Sequence, residues 1–383
     1  MGRQVLHVPV FPRLPIEEVP QRGRTSDSIA SWQSFTSVLR SVGDNQLYKY
    51  NTMPYTVSGC FEKFRKEVVD LDSDQTSVAR SSRDFVLENI DRLSSQGDIP
   101  LVADCYCLNF GSFARNTKIR PLDDIDMMVC YNGNGGVYDT IQQNNLYHIR
   151  FADNHPFFDD LRNDDGLTLN SRKVINQLIG GLSGVEHYSK AEMHRRQEAA
   201  TLKLKSYDWN FDIVPCFYTN TGFYLIPDGQ GHWKNTDPRK DRMRVTEVNQ
   251  SYGGNALPLI RLMKYWKKRA WGESVSSYMF EQLMLNCISE GHAVGDSWSK
   301  RATSVLGYLK YAILNPVPDP KGIQGDLNTL DYLARIDLAN TARHNHSTAV
   351  LARADEALDK PQEAIEKWRS IFGYSFPGYG CDY

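Results

Sequence analysis

Apolar residues recur at helical spacing over residues 25–42 and again over 61–93, where Phe61, Phe64, Val68 and Leu71 are followed by Phe85, Ile90 and Leu93. A period near 3.6 predicts helices ahead of the first strand. After Gln96, Gly97 and Asp98 the pattern shifts to short alternating or apolar runs at 101–110, 125–131, 199–204, 211–218 and 223–226, bounded by Gly, Asn, Asp and Pro. These runs predict strands and a sheet. Between them, residues 131–166 are rich in Asn, Asp and Gly and read as a long loop or insertion, with a helix following over 171–182. Beyond Asp228 the strand signal disappears. Helical periods take over at 257–269, 278–289, 298–314, 327–358 in one piece or two, and 361–372, where Pro361 suits a first turn.

Residues 1–23 hold four prolines and little periodicity, and read as an extended arm lying on the surface or on a neighbouring lobe. The chain therefore divides into an arm and helix (1–58), an α/β lobe (59–227) and a helical lobe (228–383). Its 383 residues give room for two or three domains at about 150 residues each. Charged residues at 23% and apolar ones at 41% are ordinary for a globular protein. A net charge of −2 offers no overall basic field for nucleic acid or acidic membranes, so any binding of phosphate must be local. Seven cysteines, an odd number scattered along the chain, read as reduced thiols. Prolines and acids stand near the start where a signal peptide needs an unbroken apolar stretch, and no apolar run is long enough to span a membrane. A cytoplasmic location is expected.

The informative stretch is 111–129, GSFARNTKIRPLDDIDMMV. On a strand, Asp124 and Asp126 share one face while Ile125, Met127 and Val129 take the other; Asp123 faces away and reads as a turn residue. Close carboxylates in a partly dry site need a cation, and hard oxygen donors at this density suit Mg²⁺. A third acid, Asp212, interrupts the apolar run 211–217, where an unpaired charge would be costly. If that strand lies beside the first, three carboxylates can hold two metal ions about 3.5–4 Å apart. Gly111 lets the backbone approach a phosphate, residues 113–116 can begin a short helix whose free amides and positive end favour an anion, and Ser112 would supply a hydroxyl and an amide to a triphosphate. The reaction these residues suit is nucleotidyl transfer. A turn and a surface loop would explain each dipeptide singly; their combination with a third acid on a later strand favours chemistry.

On these residues the chain resembles the nucleotidyltransferase superfamily of DNA polymerase beta type, with its Gly-Ser turn, spacer and Asp-x-Asp strand. More closely it resembles the bacterial cyclic oligonucleotide synthases (CD-NTases), through 111–129, FDIVPCF (211–217), RLMKYWKK (261–268), SSYMFEQL (276–283) and EKWRSIFGYSFP (366–377). The resemblance implies a two-lobed α+β fold, with a mixed-sheet catalytic lobe, flanking helices and a C-terminal helical bundle. It implies that Asp124, Asp126 and Asp212 hold two Mg²⁺ ions, with Mn²⁺ as the alternative. The expected substrates are nucleoside triphosphates, ATP or GTP among them, joined into a cyclic di- or trinucleotide that activates an antiphage effector. Lys264 matches the family's phosphate-binding lysine, and Ser277 and Tyr278 its Ser-Tyr pair, a hydroxyl for phosphate and a ring to stack on a base. Lys264 and Lys268 share a helix face; Lys267, Lys268 and Arg269 read as solvated.

Other signals are weaker. His194, Arg195 and Arg196 read as a solvated turn before a strand, and 227–238 as a hinge loop or a cleft lining, the two being equal on sequence. Cys105 and Cys107 fall on an expected strand with both thiols on one face, and no Cys-His cluster has zinc spacing. His344 and His346 do not share a helix face. Without a counterpart of the animal synthase's zinc insertion, no obligatory DNA or RNA activator is expected, and a regulatory protein partner fits better. The rival readings are a linear oligonucleotide or RNA-tailing nucleotidyltransferase and an inactive nucleotide-binding scaffold. Retention of three like charges argues against the scaffold.

Overall fold

The computed structural model describes residues 4–6, 55–141 and 145–380; the helix expected over 25–42 lies outside them. Helix α1 (Val57–Phe64) is capped by the Thr56 hydroxyl and runs on into a wider turn, Arg65–Val69. Helix α2 (Ser73–Gln96) starts at Asp72, which accepts from the amides of Asp74 and Gln75, and stops at Gly97, whose φ of 80° suits glycine. These neighbours in sequence serve different cores. Phe61 of α1 meets Trp368 and Phe372 of the last helix edge-on, in the helical lobe, whereas α2 lays Val86, Ile90 and Leu93 on the sheet.

The sheet holds β1 (Gln4–Val5), β2 (Leu108–Phe110), β3 (Asp124–Cys130), β4 (Val137–Ile141), β5 (Leu146–Arg150), β6 (Glu192–Arg196), β7 (Ala199–Lys203), β8 (Asn210–Tyr218), β9 (Tyr224–Pro227) and β10 (Trp233–Thr236). Their order is β1-β4-β5-β10-β9-β8-β3-β2, and β7 branches off to pair with β8 while carrying β6. β3 and β8 run parallel. Side chains alternate, so Ile125, Met127, Val129, Phe211 and Ile213 enter the core covered by α2 and α4 (Ser171–Ser183), leaving the intervening residues to the opposite face. A four-residue helical turn, α3 (Gly111–Ala114), links β2 to the segment before β3. The helical lobe comprises α5 (Pro238–Ser251), α6 (Ala256–Ala270), α7 (Ser277–Ser289), α8 (Trp298–Ala312), α9 (Tyr332–Ala357) and α10 (Pro361–Phe372), around Trp266, Phe280, Leu283 and Trp368.

Several expectations need correction. The segment 131–166 contains the β4–β5 hairpin and is not one long loop. Its glycines signal close packing: a Cβ on Gly133 or Gly136 would come within 2.8 or 2.7 Å of Leu6, which is buried beside β1. The arm thus supplies an edge strand, pairing with β4. Strand structure also continues past Asp228, because 227–238 holds a turn and β10, which pairs back onto β9, instead of a hinge loop. His194–Arg196 belongs to strand β6, paired with β7, and is not a turn. Cys105 lies in a 3₁₀ turn (Asp104–Tyr106) and Cys107 just beyond it, so the two thiols do not share a strand face. α5 was unforeseen because it buries little apolar surface, chiefly Val245 and Val248. Residues 327–358 yield one helix, α9.

Candidate active site

Register brings the three acids together. In the parallel pair, Asp126 lies directly beside Asp212, and Asp124 beside Asn210. Carboxylate oxygens of Asp124, Asp126 and Asp212 lie within 4.8 Å of one another. Like charges this close, drawn out of water, resist ionisation. Asp126 accordingly is pushed up to about 7, first by desolvation and then by the charges of Asp124 and Asp212. Burial also raises Asp124, against the pull of Lys118. Asp212 is anchored from the next strand: Thr201, its register partner on β7, donates its hydroxyl to Asp212 Oδ1 at 2.7 Å.

Gly111 sits at φ 73°, and a Cβ there would fall 1.7 Å from Asp126 Oδ2. The glycine is therefore needed by a carboxylate as well as by the turn. Ser112 follows, and its carbonyl accepts from the amides of Thr117 and Lys118 at 2.9 and 3.1 Å, folding the segment back on itself. That return delivers Lys118 Nζ to the carboxylates of both Asp123 and Asp124. Asp123 therefore does not face away from the site; it shares the lysine with Asp124. Gly111→Ala should lower turnover roughly hundredfold, as a misplacement of about 1 Å can do, and should also lower the melting temperature, because alanine is strained at a φ of 73°. A steady-state assay beside a thermal melt checks this, and near-normal turnover would remove the steric role of Gly111.

A cleft of about 260 Å³ adjoins the acids and is lined by Ser112, Lys118, Asp124, Lys264, Lys268 and Ser277. Two lobes build it. From α6, Lys264 and Lys268 reach it as one stripe, and Ser277 stands exposed at the start of α7. Of the three residues read as solvated, Lys267 is in fact buried and lines the cleft too, because α6 packs between elements on two sides; the Arg269 guanidinium donates to Ile371 O at 3.3 Å. Lys264 is buried and bonds Glu281 Oε2 at 2.8 Å and the Thr117 carbonyl at 3.2 Å. Glu281 is fully buried, and also accepts from Arg115 Nε at 2.7 Å and the Thr117 hydroxyl at 2.6 Å. Burial would raise the Glu281 pKa, but Lys264 and Arg115 outweigh it and hold it at about 2. Two cations against one carboxylate leave net positive charge behind the cleft, where an anion would be drawn.

Tyr278 is half-buried. Its hydroxyl donates to Asp241 Oδ1 at 2.7 Å and meets Lys321 Nζ, which lies 4.1 Å from the ring centroid and covers one face. Desolvation, then the Asp241 carboxylate, pushes its hydroxyl pKa up. The structure thus unites Gly111, Ser112, Asp124, Asp126, Asp212, Lys264 and Ser277 around one cleft and its floor, and ties Tyr278 to Asp241 and Asp319. Sequence reasoning missed Lys118, Thr201, Arg115, Thr117 and Glu281. Arg115, Thr117 and Lys118 lie inside the Gly-Ser to Asp-x-Asp spacer and carried a local signal; Thr201 and Glu281 carried none.

No family model matches the chain. It is 43% identical over 338 residues to a probable cyclic nucleotide synthase of Bacillus cereus (strain VD146), covering 85% of this chain and 99% of that protein. Its fold is similar to that of CdnC from Escherichia coli MS115-1, solved as a complex with HORMA-deltaN, with a TM-score of 0.63 at 16% identity over 84% of this chain and 98% of that one. It is also similar to Vibrio cholerae DncV in its GTP-bound form, with a TM-score of 0.59 at 12% identity over 85% and 97%. Among the described residues no helix is long and apolar enough to cross a membrane.

Proposed function

This chain belongs to the CD-NTase family of bacterial cyclic nucleotide synthases, and from that premise we propose that it joins two or three nucleoside triphosphates into a ring, releasing pyrophosphate at each bond. The observation that carries this is the meeting of three carboxylates from two parallel strands, within 4.8 Å, beside a cation-lined cleft. All three donors are hard oxygens, so Asp124, Asp126 and Asp212 fit Mg²⁺, with Mn²⁺ as the alternative. When bound, such ions supply positive charge at the reacting phosphate and make the attacking hydroxyl more acidic.

In each transfer, a ribose hydroxyl oxygen of one nucleotide forms a bond to the α-phosphorus of another. The bond from that phosphorus to its bridging oxygen breaks, and pyrophosphate leaves with the electron pair. Asp212, oriented by Thr201, stands as the carboxylate nearest the acceptor and takes the hydroxyl proton. Ser112, Lys118, Lys264 and Ser277 hold the donor triphosphate from the two walls of the cleft. Fixed charge and orientation do most of this work. ATP or GTP as substrate is supported by the GTP-bound form of the similar structure, and a regulatory protein by the HORMA-deltaN complex of the other. The antiphage signalling role is supported by the family alone.

Purified protein incubated with the four labelled nucleoside triphosphates and Mg²⁺ should yield a product that resists phosphatase. A 3′-5′-specific nuclease then reads its linkage. A ladder of linear products with phosphatase-labile ends would overturn ring closure and leave the linear reading standing.

A further inference from the structure

The strand register carries the acidic row beyond the three carboxylates. Asp126, Asp212, Thr201 and His194 are successive partners across β3, β8, β7 and β6, so they stand side by side on one face of the sheet. Met128 pairs with Val214, these two pack with Ala199 in one buried cluster, and Ala199 is the register partner of Arg196. His194 and Arg196 are exposed, whereas Met193, the residue before His194, packs on the opposite face against the core. The face bearing the acids therefore continues without interruption onto β6. Strands about 4.8 Å apart put His194 roughly 10 Å from Asp212.

The other flank is already assigned. Gly111, Ser112, Lys118 and the cleft cations all lie on the β2–β3 side of the acids, where the donor triphosphate is placed above. A second nucleotide offering its hydroxyl at Asp212 must extend over β8, β7 and β6. Its own 5′-triphosphate, one ribose away from that hydroxyl, then arrives over the outer strands. What it meets there is cationic. Nearby Lys234 and Glu198 pair with each other, but no ion pair among the described residues engages His194 or Arg196. The register partner of Arg196 is Ala199, whose small side chain does not crowd the guanidinium. One acid shares the face: Glu192 is exposed opposite Lys203, two residues from His194.

We propose that His194 and Arg196 form a subsite for the 5′-triphosphate of the acceptor nucleotide, distinct from the donor cleft. The proposal rests on the nucleotidyl-transfer reading above. The guanidinium holds phosphate oxygens bidentately and the imidazole N–H adds a further donor, so the acceptor is oriented before its hydroxyl meets Asp212. Glu192 opposes the same charge and sets a limit on the subsite's affinity. These residues act on binding of one substrate and touch no reacting atom.

The test separates donor from acceptor. The donor is a labelled 2′,3′-dideoxynucleoside triphosphate, which has no hydroxyl to offer. The acceptor is either a nucleoside α,β-methylene triphosphate, which cannot donate, or the matching nucleoside. In the wild type the triphosphate acceptor should have the lower KM. The double variant His194→Gln with Arg196→Gln should raise the KM of the triphosphate acceptor about tenfold, toward that of the nucleoside, leaving the nucleoside KM, the donor KM and kcat within about twofold. Glu192→Gln should move the triphosphate KM the opposite way. An unchanged triphosphate KM, or equal rises for both acceptors, would overturn the subsite while leaving the catalytic reading intact. Absence of transfer to either acceptor in the wild type would sink both.

Discussion

Replacing Asp126 with Asn should cut turnover by about 10³-fold or more while the protein stays folded, because the substitution keeps the shape and removes the charge the reaction needs. Asp126 is the centre of the site. It lies beside Asp212 in the parallel pair, its Oδ2 fills the space a Gly111 side chain would take, and Asp124 stands two residues back on the same face. Its carboxyl is pushed up to about 7 chiefly by desolvation, with Asp124 and Asp212 adding to it. The site is thus strained by its own charge, and the fold does not depend on that charge for stability. The Asn variant, and likewise Asp124→Ala combined with Asp126→Ala, should therefore melt at or above the wild-type temperature in metal-free buffer. Pyrophosphate release and a thermal melt on the same preparation decide it. Activity within tenfold of the wild type would place the reaction elsewhere, and a fall in melting temperature would make the acids structural.

The acids were legible in the sequence for a reason that applies to few residues. A charge inside an apolar strand has no cheap structural explanation, so Asp126 and Asp212 stand out, and alternation alone puts Asp124 with Asp126. That the two strands are neighbours is a property of the sheet register, which no local segment of sequence encodes. Other features were hidden because composition misleads. Gly133 and Gly136 suggested a loop, yet they are small to admit Leu6 from the arm, more than 120 residues earlier. α5, with Arg239, Lys240, Asp241, Arg242 and Arg244 in one run, has too few apolar positions to announce a helix; its N-terminus is set by Asp237 and Pro238 instead. β6 reads as basic and solvated because one of its faces is exposed. Lys264 was visible through resemblance, but its partner was not: Glu281 lies 164 residues from Thr117 and 166 from Arg115, and nothing local in the sequence couples them.

That coupling has the second large consequence. Glu281→Ala should destabilise the protein by about 3–5 kcal/mol, the cost of stranding buried charges when one partner of an ion pair is removed. Two cations are stranded here, Lys264 on α6 and Arg115 just beyond α3, so the loss falls between the lobes. It also frees Thr117, whose amide holds the carbonyl of Ser112, and the donor cleft should loosen with it. Urea titration measures the loss. Pairing the change with Lys264→Met should recover part of it, since an apolar side chain leaves one fewer buried charge unpaired. The pH dependence identifies the group. Glu281 is held at about 2 in the folded protein against its ordinary 4.5, so its contribution is fully present above 4.5 and is lost as pH falls through that window toward 2. The wild type should lose stability over this range more steeply than Glu281→Gln, which has no carboxylate to protonate there. Parallel acid titrations of the two proteins, or an Ala variant with the wild-type urea midpoint, would show that the lobes are held together by apolar packing alone.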